Sequence, residues 1–96
     1  MTDFQEAQRG QFAQAVLDNP AWAYSYTQLE GEVITLWRNS RNADEREELH
    51  RQLMALQLMR SNLEALVRTG QIASANLGRE QSRAERMTAG WQRKAS

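Results

Sequence analysis

The chain contains no cysteine, so disulfides, thiolate zinc sites and cysteine nucleophiles are excluded. The absence fits a reducing compartment. Proline occurs once, as Pro20, and glycine five times, isolated from one another. That leaves little punctuation for strands and hairpins, and no glycine-rich phosphate loop. No apolar run approaches the ~20 residues that span a bilayer. The start, Met1-Thr2-Asp3-Phe4-Gln5-Glu6, lacks the basic and apolar regions of a signal peptide. Charge of one sign is not in excess: 12 Lys and Arg balance 12 Asp and Glu over 96 residues. This length allows one small domain. A domain of this size buries only about 60–65% of its unfolded surface, so oligomerisation is a natural support.

Ala, Leu, Gln, Glu, Arg and Met dominate, and these are strong helix formers. The expected fold is all-α. A first segment runs from about Thr2 to Leu17. Phe4, Gln8, Phe12 and Val16 recur every four residues, with Ala13 and Leu17 beside them. Thr2 or Asp3 caps the start. Gly10 interrupts the segment and costs a helix about 1 kcal/mol against Ala. The segment reads as an amphipathic helix, or as an arm that orders on a partner.

Asp18-Asn19-Pro20 marks a boundary, because the residue before Pro is pushed out of helical conformation. Asn19 then caps a second helix that opens at Pro20. Trp22, Tyr26, Leu29, Val33 and Leu36 form a heptad seam. Ile34 and Trp37 broaden it. The seam ends at Trp37-Arg38, and residues 39–42 form a loop. A third helix opens at Asn42 to Asp44, where Asn42 and Glu45 make a capping-box-like pair. It is expected to stop at Gly70, the usual residue just past a helix end. Leu49, Leu53, Leu56, Met59, Leu63, Leu66 and Val67 make its main stripe. Met54 and Leu58 lie to one side of that stripe.

The predicted architecture is an antiparallel helical hairpin over residues 19–70. An N-terminal amphipathic helix (1–18) precedes it, and a basic, partly helical tail (71–96) follows. A two-helix hairpin covers one side of each helix, so the surplus apolar surface needs the first helix or a second copy of the chain. A homo-oligomer is expected, with Leu53, Met54, Leu58 and Met59 as interface candidates.

The tail is net +3, with five basic residues against Glu80 and Glu85. Residues 1–70 are net −3, seven basic against ten acidic. Such asymmetry suggests a tail with its own task. Arg79, Arg83 and Arg86 fall on one helical face, followed by Trp91 and Arg93. Trp and Arg are enriched at binding hot spots. These five residues are the candidates for docking on a larger protein. Aromatics beside cations also stack on bases, so contact with nucleic acid through the tail is an alternative.

No catalytic constellation is legible. His50 is the single imidazole, with no Ser, Cys or Lys placed beside it as an activated nucleophile. Asp44, Glu45, Glu47 and Glu48 cluster, but at a helix start where carboxylates are favoured, and without His or Cys to complete a transition-metal site. The expectation is no catalytic residue, metal site or cofactor.

Asn19-Pro20, Trp22, Leu29-Glu30, Trp37-Arg38-Asn39-Ser40, Arg46-Glu47, Leu53/Leu56/Arg60/Leu63-Glu64 and Thr69-Gly70-Gln71-Ile72-Ala73 resemble small proteins of tailed bacteriophages. Those are short helical-hairpin proteins encoded among head and packaging genes. The resemblance covers about 60% of the chain, residues 19–77. It implies a non-enzymatic part in virion structure or assembly, in the host cytoplasm or the virion, beside a capsid, portal or packaging component. An oligomeric packaging factor that binds nucleic acid is the first alternative. A small inhibitor of a host enzyme is the second. No membrane role is expected.

Overall fold

The computed structural model describes residues 1–95, with side chains for residues 1–90. It is all-α, as the composition implies: α1 is Asp3–Asp18, α2 is Pro20–Asn39 and α3 is Ala43–Ala95.

Local chemistry sets the helix starts. The Thr2 hydroxyl accepts from the Gln5 amide at 3.2 Å, and the Gln5 side chain accepts from the Thr2 amide at 3.1 Å. This is a full capping box. Asn19 Oδ1 accepts from the Ala21 and Trp22 amides at 2.9 and 3.1 Å, ahead of Pro20 at the first helical position. Asn42 Oδ1 accepts from the Glu45 amide at 3.0 Å.

The third helix does not stop at Gly70. It runs unbroken from Ala43 to Ala95, 53 residues in all, about 80 Å at the usual rise. Gly70 ends a helix when it adopts a left-handed backbone, and none of the described residues has positive φ. Its missing side chain serves packing instead. A Cβ built on Gly70 would lie 2.7 Å from Gly10 Cα and 3.1 Å from the Glu6 carbonyl oxygen. A Cβ on Gly10 would lie 2.8 Å from Gly70 Cα and 3.0 Å from the Leu66 oxygen. The two backbones touch where α1 crosses α3, which only glycine permits.

This crossing reorganises α1. Its buried residues are Ala7, Gly10 and Ala13, with Leu17 half-buried. The anticipated Phe4–Gln8–Phe12–Val16 stripe faces solvent, with Phe4 65% and Phe12 63% exposed. The periodicity marked a real helix but not its inward face. A phenyl ring at the crossing would hold the backbones apart, so the small residues occupy it.

The hairpin is therefore longer than one helix per arm. Gly10 meets Gly70, Arg60 lies over Tyr26, and Arg46 lies over Trp37. Both α1 and α2 thus run antiparallel to α3, one after the other. α1 packs on α3 more extensively than α2 does, and α1 and α2 meet only near their junction. The first arm is broken at Asn19-Pro20 and the second is continuous. At each level the cross-section holds only two helices. Beyond Leu77 even this is lost, and every residue from Gly78 to Gly90 is exposed.

Such a rod encloses little. Among the described residues, the buried apolar ones are Ala7, Ala13, Tyr26, Val33, Leu49 and Ala73, and no large side chain is fully enclosed. The rod measures 82 × 24 × 15 Å, with a radius of gyration of 22.3 Å. A compact chain of this length would have about 12.5 Å. The surface is 7773 Å² for 11.1 kDa, against about 5,700 Å² for a compact monomer.

Candidate interaction surface

The lower half of the hairpin, around the loop, carries the aromatic chemistry. Trp22 and Tyr26, one turn apart, stack with ring centroids 5.3 Å apart. Tyr26 is buried, and its hydroxyl donates to Glu30 Oε2 at 3.0 Å. The Arg60 guanidinium lies 5.2 Å from the Tyr26 ring centroid, and its Nε donates to Glu64 at 3.2 Å. Burial, and then the Glu30 carboxylate, push the Tyr26 hydroxyl pKa above its ordinary value. Arg60 opposes that rise. At the loop, Arg46 donates to the Trp37 and Ser40 carbonyl oxygens at 2.8 and 3.0 Å. Its guanidinium lies 4.3 Å over the Trp37 ring. Arg46 thus ties the end of α2 to the start of α3, a role its sequence position did not announce.

These contacts link α2 to α3. Among the described residues, no group of three or more His, Cys, Asp and Glu is placed to hold a metal ion. His50 is exposed on α3. Grooves run along the helix seams, the one at the glycine crossing lined by Ala7, Gly10, Gln14, Val67 and Ser74. No helix among the described residues is long and apolar enough to cross a membrane.

The other large features face outward. Of the interface candidates, Leu53 is half-buried. Met54, Leu58 and Met59 are exposed at 51%, 71% and 59%. Met59, assigned to the main stripe, turns out of the hairpin, as do Leu29 and Leu36 of the α2 seam. The sequence allowed Ile72 to continue the helix briefly but did not count it among the interface candidates; it is 64% exposed on α3. It lies beyond the expected helix end, so no face was assigned to it.

The docking candidates sit on the overhang of α3. Arg79, Arg83 and Arg86 are exposed and share one face. Arg79 bonds Asn76, and Arg86 Nε donates to the Ser82 carbonyl oxygen at 3.4 Å. The side chains of Trp91 and Arg93 lie outside the described residues.

Compared with protein-family models, curated proteins and solved structures, the chain matches none.

Proposed function

We propose that this chain is a non-enzymatic structural or assembly protein. It self-associates along its helical hairpin and docks on a larger protein through the end of α3. One observation carries the reading. A two-helix cross-section leaves large apolar side chains outside, and the surface exceeds that of a compact monomer by roughly 2,000 Å². A stable interface takes about 800 Å² from each partner. Following the phage resemblance, the larger protein is a capsid, portal or packaging component, and the site of action is the host cytoplasm or the virion.

Light scattering on a sizing column tests self-association of the full chain. The expected result is a discrete oligomer that forms at low and high salt. A monomer at every concentration overturns it.

The Arg79, Arg83 and Arg86 face of the overhang favours one further reading, an oligomeric packaging factor that binds nucleic acid. Binding of a short DNA duplex that weakens steeply with salt would support it. An absence of binding at low salt would remove it.

A further inference from the structure

We propose that the outer edge of α3 pairs with the same edge of a second copy, antiparallel about a two-fold axis at Ala65. This rests on the self-association proposed above and adds its surface, direction and register.

The first observation is spacing. Met54, Leu58, Ser61, Ala65, Arg68, Ile72 and Ala75 follow one another at alternating steps of four and three. That is a second run at heptad spacing, apolar at five of its seven positions. It runs along the side of α3 turned away from the residues that meet α1 and α2, among them Leu49, Gly70 and Ala73. Leu58 and Ile72 are its most exposed large members, at 71% and 64%.

The second observation is charge. The same spacing extends back through Arg51 and Glu47 to Asp44, and forward through Arg79 and Ser82 to Arg86. The edge is acidic at its start and basic at its end, and its middle is apolar apart from Ser61 and Arg68. A parallel pair would set acid on acid and base on base. An antiparallel pair centred on Ala65 sets Leu58 of each copy on Ile72 of the other, and Met54 beside Ala75. It also sets Asp44 on Arg86 and Glu47 beside Arg83. Arg51 then approaches Arg79, but Glu48 already holds Arg51 at 3.2 Å within its own chain. An interface that uses the same patch on both copies closes at two chains. Ala65, at the axis, lets the helices approach closely.

The third observation is the overhang. In this register, residues 78–86 of one copy lie along residues 44–52 of the other, so the exposed start of the overhang gains a neighbour. From Met87 onward the helix extends past the start of the other copy's α3, where it is accessible to the larger protein.

The absence of native cysteine makes the register directly measurable. In the full-length chain, Ala65→Cys treated with oxidant or a short bis-maleimide should give a covalent dimer in high yield. Leu58→Cys alone should give little, but mixed with Ile72→Cys it should give the heterodimer. If light scattering shows an oligomer and Ala65→Cys forms no cross-link, this register is overturned and self-association stands. A monomer overturns both. Leu58→Glu changes an exposed side chain, so helicity by circular dichroism should be unchanged. Self-association should weaken at least ~100-fold, the effect of losing a central apolar anchor. Undiminished association of Leu58→Glu overturns the proposal.

Discussion

The two halves of the hairpin hold their helices together by different means. Where α1 meets α3, Gly10 touches Gly70 and the flanking residues are Ala7, Ala13 and Ala73. The helices close onto each other's backbone, and contact comes from proximity. Where α2 meets α3, Tyr26, Val33 and Leu49 fill a wider gap, and arginines lie over the Tyr26 and Trp37 rings. There, contact comes from side-chain volume. The first half is sensitive to added atoms and the second to removed ones. The aromatic half also fixes its geometry with directional bonds from Arg46 and Tyr26.

The largest expected effect breaks the aromatic half. Tyr26→Ala removes its largest buried ring and should cost about 3 kcal/mol, read as a lower urea midpoint. A change within a few tenths of a kcal/mol would show that this half is not held by volume.

The next tests the opposite sensitivity. Gly10→Ala and Gly70→Ala each add a methyl against backbone that cannot turn aside. Overpacking of about 1–3 kcal/mol should outweigh the ~1 kcal/mol gain in helix propensity, for a net loss of about 1 kcal/mol. Gly31, on α2, has nothing within 4 Å of its would-be Cβ. Gly31→Ala should therefore stabilise by about 0.5–1 kcal/mol. If all three glycine variants are stabilised in thermal melts, the close crossing is wrong.

Arg46→Lys sharpens the picture at the loop. Lysine keeps the charge but loses the fork and the flat guanidinium, so a loss of about 1 kcal/mol is expected. Full retention of the melting temperature would reduce Arg46 to a surface charge.

The smallest effect is a pH dependence confined to the aromatic half. The folded state raises the Tyr26 pKa, mainly by burial. The protonated hydroxyl is favoured on folding, so this stability is complete below the ordinary value of 10.0 and is lost as pH rises beyond it. Denaturant titrations above pH 10 should show the loss in wild type and less of it in Tyr26→Phe.

What could be read from the sequence divides along the same line. The aromatic half was legible in its helices and their starts, from Asn19-Pro20, the Trp22–Tyr26–Leu29–Val33–Leu36 spacing and the Asn42 cap, because capping and heptad spacing are local; its inward face was only partly so, since Leu29 and Leu36 turn outward. The glycine half was misread twice. Gly10 looked like a defect in α1 and Gly70 like a terminator of α3. Each is a good local inference, and each was overridden by a contact between residues sixty positions apart. The Phe4 and Phe12 stripe was misassigned for the same reason. Hydrophobicity alone favours burying the rings, but the close crossing admits only small residues.

The candidate surface followed suit. Met54 and Leu58 were visible as apolar surplus, and the Arg face of the tail was visible as spacing. Their continuity along one edge was not, because that edge exists only if the helix passes Gly70.

The sequence by itself determined the all-α class, the break at Pro20, the three helix starts and the split between an acidic first 70 residues and a basic remainder. These follow from propensity, caps and charge, which act within a few residues. Only the tertiary structure decided which faces are buried, that Gly10 and Gly70 are a contact, and that α3 passes Gly70 without a break. Those outcomes depend on how closely two backbones can approach, a distance no single helix specifies.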